Sequence, residues 1–260
     1  MPGVLKGLVK KTLGRFDIGI TSYTRLRQLE ANSNVGMDIG LLLELPEHHS
    51  VNLLESLRQS KSQLGQDLFT LSVCNFKRGG FFVEFGATNG IDLSNTYLLE
   101  KKYGWSGILA EPAKRWHNDL RQNRCCNIET DCVWRDSGAT LNFNEVDSGE
   151  LSTIDSFKPR DVHREARKSG NRFSVRTISL TDLLDKYGSP REIDYLSIDT
   201  EGSEYDILST FDWGKYRFKV ITVEHNYTRQ REKIFSLLSG NGYVRKMEKL
   251  SRFDDWYVGA

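Results

Sequence analysis

The sequence predicts an α/β fold built on a mostly parallel sheet, and three observations carry that expectation. The first is a strand-turn-helix-strand pattern over residues 79–111, about the length a right-handed crossover needs. The second is a glycine turn inside it, Gly86-Ala87-Thr88-Asn89-Gly90, placed between strand and helix. The third is a pair of acid-rich segments, each closing an apolar run. Asp199-Thr200-Glu201-Gly202 follows 193–198, and Glu224-His225-Asn226 follows 219–223.

Within 79–111, Phe81-Phe82-Val83 reads as a buried strand with Glu84 at its end. A helix is expected to open near Ser94 or Asn95 as cap and to stop at Tyr103-Gly104. A second apolar strand, 107–110, ends on Glu111. A glycine turn at this place lets a ligand approach the backbone and meet the N–H groups of the helix start. An acid 21 residues past Gly90 stands where Rossmann-like folds grip a ribose diol. The turn lacks the middle glycine of GxGxxG, which makes room for a pyrophosphate, so a smaller nucleoside ligand is favoured over a dinucleotide. The alternative is an ordinary βαβ unit whose glycines serve only the turn.

The other elements follow in order. Residues 1–16 place Leu5, Leu8, Val9, Leu13 and Phe16 at helical spacing with Lys6, Lys10, Lys11 and Arg15 opposite. Such a helix meets a membrane surface or a partner enzyme, or packs on its own domain. Residues 1–61 read as a helical N-terminal extension and 62–260 as the main domain. His48 and His49 are neighbours and face apart on a helix, so a solvent or capping role is expected. A helix over 63–75 leads into the first strand, and another is expected from 113 to 123. Residues 127–134 read as a third strand and 140–144 as an added one. Residues 145–172 interrupt the rhythm, with six Lys or Arg against two acids between 158 and 172. They read as a substrate lid for a glycan carrying phosphate or carboxylate, or as a solvated charged helix. A short strand over 175–178, helices near 183–187 and 228–238, and closing strands over 243–247 and 256–259 complete the pattern.

Composition narrows the function classes. A formal net charge of +1 provides no global basic field, so nucleic acid is not an expected partner. No apolar run approaches the roughly 18 residues of a membrane span, and the start lacks a signal-peptide layout. Four cysteines without CxxC spacing read as reduced thiols, and the expected location is cytoplasmic.

The runs VEFGATNGIDLSNTYLLE, GWSGILAEP and IDYLSIDTEGSEYDIL, preceded by SQLGQD at 62–67, carry a resemblance. Over roughly residues 62–247 the chain resembles the FkbM-type family of S-adenosylmethionine-dependent O-methyltransferases. The resemblance implies a class I methyltransferase fold, a seven-stranded, mostly parallel sheet with an antiparallel last strand and helices on both faces. It implies methylation of a hydroxyl, most often of a sugar in a glycan or polysaccharide. Expected cofactor contacts are Glu84, Gly86, Ala87, Asn89, Gly90, Asn95, Glu111 and Asp131, the last near the adenine amine. Gln63, Gln66 and Asp67 border the same pocket by analogy.

Methyl transfer from a sulfonium has a neutral leaving group, so an enzyme must align the reactants and remove the acceptor's proton. His225 is the natural base at neutral pH, with Asp199 taking the proton directly or holding the hydroxyl, and Glu201 and Glu224 orienting them. Such a cleft can equally hold Mg²⁺ or Mn²⁺. Two other classes remain open: a methyltransferase-like interaction module without turnover, and a nicotinamide-dependent sugar oxidoreductase.

Overall fold

The computed structural model describes residues 36–145, 153–154 and 171–260. The expected N-terminal helix over 1–16 and most of the basic stretch at 155–170 lie outside them. Eleven strands are described: β1 Phe81–Phe85, β2 Ser106–Ala110, β3 Asn127–Glu129, β4 Cys132–Trp134, β5 Thr140–Glu145, β6 Thr153–Ile154, β7 Asn171–Ser179, β8 Glu192–Ile198, β9 Arg217–Glu224, β10 Tyr243–Lys246 and β11 Asp254–Gly259.

Seven of them form one sheet in the order β10-β11-β9-β8-β1-β2-β3. The pairs from β9 through to β3 are parallel, and β11 runs antiparallel to both β9 and β10. The expected sheet, with its antiparallel last strand, is therefore present. Chain order reverses between β1 and β8, and open α/β sheets form their ligand crevice at such a switch point, outside the carboxyl ends of the strands.

Both faces of the sheet are covered, so its strands are almost continuously apolar. Val83, Phe85, Ile108, Leu196, Ile198, Ile221 and Val223 share one core with Leu183, Leu184, Ile207, Leu208, Ile234 and Leu238 from helices. The alternate residues look the other way, where Phe69 packs on Trp256 with ring centroids 4.9 Å apart.

Several elements depart from the expected bounds. The first crossover helix spans Tyr97–Tyr103 with Thr96 at its N-cap, two residues after Ser94. The reason is chemical: the side chain of Thr96 donates to Glu84 and does not cap the helix, while Ser94 Oγ accepts from Tyr97 N at 3.1 Å. Gly104 stops the helix in the left-handed region, as its sequence foretold. His49 corrects the solvent reading. It is buried, its Nδ1 2.8 Å from Ser72 Oγ and its Nε2 2.9 Å from Asn75 Oδ1, and it ties the Glu47–His49 turn to the helix Gln66–Val73.

The expected third strand over 127–134 is two strands in two sheets. Glu129 Oε1 accepts from the N–H groups of Thr130 and Asp131 at 2.9 and 3.0 Å, which turns the chain out of the main sheet. Its Oε2 receives Lys186 Nζ at 2.6 Å. The continuation, β4, joins a four-stranded sheet of order β4-β7-β5-β6. Its core holds Ala113, Cys132, Trp134, Phe143 and Val175.

Candidate active site

A cleft opens at the switch point. Counted out to its open mouth it holds about 1060 Å³ of empty space. Glu84, Gly86, Asn95, Glu111, Asp199 and Glu201 line it, together with Gln63 and Gln66 of the lead-in. Ala87, Asn89, Gly90, Asp67 and Asp131 are not among its lining residues.

Strand register explains which acids meet. Glu84 lies beside Ser197 and Ser197 beside Thr222, one row across β1, β8 and β9. Two residues further on, Asp254 of β11 pairs with Glu224. Asp199 follows Ile198, whose partner is Val223, so it arrives beside the same Glu224. Three carboxyls thus stand side by side on adjacent strands about 4.8 Å apart. Like charges so placed resist ionisation together.

Asp199 and Glu224 bring carboxyl oxygens within 4.8 Å of each other, close enough to compete for one proton. Burial, and then the neighbouring carboxylates, push both above the ordinary carboxylate range. Asp199 is nonetheless an exposed residue, open to the cleft it lines. Glu201 completes the group: one ligand oxygen each from Asp199, Glu201 and Glu224 fall within 4.8 Å of one another. Its backbone is held in the left-handed region at φ 59°, a strained conformation for a residue with a side chain, of a kind that clusters at functional sites. Glu204 Oε1 clamps the turn by accepting from Thr200 N, Thr200 Oγ1 and Gly202 N at 2.9–3.1 Å.

His225 is a correction. Its backbone follows Glu224, and neither residue is among those lining the cleft. Successive strand residues face opposite ways, and Asp255, not Asp254, is its neighbour: His225 Nε2 lies 3.8 Å from Asp255 Oδ1. Its Nδ1 accepts from Tyr227 N at 3.0 Å, which leaves the ring proton on Nε2. Burial lowers its pKa. Asp254 takes a place in the cleft that sequence reasoning missed. It is buried, receives Gln66 Nε2 at 2.8 Å, and is pushed up to about 7 by burial. Only its pairing with Glu224 reveals it, and that pairing is invisible in a linear reading.

The opposite half of the cleft is built around two acids. Glu111 Oε2 accepts from Thr88 N and its Oε1 from Ala113 N, both at 2.8 Å. Burial raises it to about 7, and each oxygen retains further acceptor capacity. Glu84 Oε1 accepts from Asn95 N at 2.6 Å, and its Oε2 from Ser94 Oγ at 3.0 Å. Asn95 Nδ2 donates to Ser197 Oγ at 2.9 Å, while its buried Oδ1 has no partner. Phe143 and Cys132 of the second sheet form part of the wall. Gly86 must be glycine: its φ is 75°, and an added Cβ would lie 2.2 Å from the Asp199 carbonyl oxygen. Asn89 and Gly90 shape the turn from outside the cleft, Asn89 Oδ1 accepting from Ile91 N and Asp92 N at 2.9 Å. Asp131 sits half-buried at the turn between β3 and β4.

Residues 84–253 match the profile of the methyltransferase FkbM domain. The chain belongs to this family. Family membership and the strand order together make it an S-adenosylmethionine-dependent methyltransferase of the class I fold. Among curated proteins no sequence matches significantly. Solved structures with a similar trace include precorrin-6y C5,15-methyltransferase of Geobacter metallireducens GS-15, 11% identical over 74% of this chain and 86% of that one, with TM-score 0.40. The ribosomal protein L11 methylase of Lactobacillus delbrueckii subsp. bulgaricus is 9% identical over 74% of each chain, with TM-score 0.36. Among the described residues of the FkbM-family chain, no helix is long and apolar enough to cross a membrane.

Proposed function

We propose that this FkbM-family methyltransferase methylates a hydroxyl, most naturally of a sugar in a glycan, with Asp199 as the group that takes the proton. The observation that carries this reading is the proton-sharing pair Asp199–Glu224 at the cleft. A carboxyl with a raised pKa is matched to accepting a proton near neutrality, where an ordinary aspartate is too weak a base. His225, buried on the far side of β9, is left to position the loop.

The residues present fit the cofactor. Glu111 has acceptor capacity for a ribose diol, and the unpartnered Asn95 Oδ1 and the carboxylate of Glu84 suit an ammonium group. When bound, the cofactor supplies a methyl group on a positively charged sulfur. The chain's own residues do the rest: Gly86 and Thr88 admit the ligand to the backbone, Asp199 holds and deprotonates the acceptor hydroxyl, and Glu201 orients it.

The acceptor class is supported by the lining. It contains the acids Glu84, Asp92, Glu111, Asp199, Glu201 and Asp254 and, among the described residues, no Lys, Arg or His. Such a wall suits a polyol rich in hydroxyl donors. The grouping of Asp199, Glu201 and Glu224 also favours a second reading, in which Mg²⁺ or Mn²⁺ sits among the three and lowers the hydroxyl's pKa. A transfer rate abolished by chelator and restored by Mg²⁺ supports the ion; a rate indifferent to chelator removes it.

The cofactor assignment is tested by calorimetric titration with S-adenosylhomocysteine. Binding in the micromolar range is expected, about 8 kcal/mol. Glu111→Ala is expected to lose about 1.5–3 kcal/mol, the worth of a hydrogen bond to a charged group. A silent wild type that instead binds NAD would establish the oxidoreductase alternative, and silence to both the interaction module.

A further inference from the structure

Arg124 ends the helix His117–Asn123, the crossover between Glu111 and β3, and its side chain is fully buried. A guanidinium out of water must spend its donors on the protein. Here nearly all go to one place. Nη1 donates to the Gly90 carbonyl and to Ser94 Oγ, both at 3.1 Å, and Nη2 to Thr96 Oγ1 at 2.9 Å. Nε reaches Glu100 Oε2 at 2.8 Å. Glu84 Oε2 lies 3.8 Å from Nη1, close enough to feel the charge. Gly90, with φ at 79°, packs closely under the same side chain: an added Cβ would lie 2.6 Å from Leu120 Cδ1 and 2.7 Å from Arg124 Cγ.

Every one of those partners except Glu100 belongs to the segment that presents Glu84 and Asn95 to the cleft. Ser94 and Thr96 hand their own hydroxyl protons to Glu84, and Asn95 N binds its other oxygen. The cation therefore sits behind this carboxylate and the loop that frames it. It joins the helix after Glu111 to the turn after β1, so the ribose and ammonium halves of the cofactor pocket share one pin. Resting on the cofactor reading given above, we propose that Arg124 is the positioning residue of the cofactor half of the cleft, acting through Glu84, Ser94 and Thr96. Lysine cannot reproduce the fork, since it offers a point charge in place of a planar array of donors.

The test titrates the full chain with S-adenosylhomocysteine as wild type, Arg124→Lys, Arg124→Met, Thr96→Val and Leu238→Ala. Each titration is paired with a melting curve and run well below its midpoint. Leu238 is buried in the core on the other face of the sheet and serves as the control for lost stability. The expected order is at least a tenfold weaker dissociation constant for Arg124→Met, a partial recovery for Arg124→Lys, and a several-fold loss for Thr96→Val. Leu238→Ala is expected to stay within twofold of wild type at a comparable loss of melting temperature. If Arg124→Met does not fold, Arg124→Lys and Thr96→Val decide alone. Wild-type affinity in the Arg124 variants, or an equal loss in Leu238→Ala, overturns the proposal. A wild type that does not bind overturns the cofactor reading and this inference with it.

Discussion

Asp199 shows how little of a side chain's chemistry is contained in its name. Free in water it is a weak base with a pKa near 4. Desolvated by burial and near the carboxylates of Asp254, Glu204 and Glu84, in a cleft where no positive side chain is described, it keeps its proton to a higher pH. The kcat/KM for methyl transfer is therefore expected to rise with pH along a limb whose apparent pKa lies well above about 4 and belongs to the pair. A limb near 4 in a pH–rate profile would mean that Asp199 is ionised independently of its neighbour. His225 was the better candidate from the sequence alone, because histidine titrates near neutrality unaided. The structure reverses that preference by one step of strand alternation, which turns Glu224 towards Asp199 and His225 against Asp255. Glu84, Gly86, Asn95, Glu111 and Asp199 were legible because each sits at a turn or strand tip whose geometry follows from local sequence. Asp254 and Arg124 were not, since their roles come from partners 24 or more residues away.

Among the elements, the tips of β1 and β8 do the positioning. Gly86 leaves β1 with a positive φ and passes within a Cβ's reach of the Asp199 carbonyl. Gly86→Ala is accordingly expected to lower stability by more than the roughly 1 kcal/mol of a simple glycine replacement, and to weaken S-adenosylhomocysteine as well. Denaturant melts and titration check both; an unchanged melt would mean that the two tips do not constrain each other. Strand existence was readable from apolar runs, whereas sheet membership was not. Residues 127–134 form one apolar stretch, and only the Glu129 side chain, bonded to the next two N–H groups, divides it between two sheets. The second sheet is assembled from β4, β5, β6 and β7, whose pairings span the stretch read as a lid, so no local pattern announced it.

At the scale of the molecule, the buried acids set the response to pH. Asp67 is raised to about 6, Glu111 and Asp254 to about 7, and Glu204 is raised as well, all chiefly by burial. Each binds its proton more tightly folded than unfolded. The stability it contributes is complete below its unfolded pKa near 4 and is lost as pH rises through its folded value. His117 and His225, both lowered by burial, act in the opposite sense, two groups against these four and the raised Asp199 and Glu224. The melting temperature of the ligand-free protein is therefore expected to fall between about pH 5 and pH 7.5. A flat or rising curve would show that these carboxyls are ionised in the folded state. Whole-molecule features were the most legible of all: the seven-stranded sheet with its antiparallel last strand follows from the order of apolar runs and the resemblance they carry.

The central claim is that a carboxyl pair, and not a histidine, takes the acceptor's proton in a cleft that holds S-adenosylmethionine. It is tested most directly by following labelled methyl transfer to hydroxyl-rich glycan acceptors in wild type, Asp199→Asn and His225→Asn, with S-adenosylhomocysteine affinity measured in parallel. Asp199→Asn is predicted to bind the ligand within a few-fold of wild type and to lose at least about 100-fold in transfer, the usual worth of a general base. His225→Asn, whose amide oxygen can still accept the Tyr227 N–H, is predicted to keep most of its rate. Abolished transfer in His225→Asn with Asp199→Asn still active would contradict this claim.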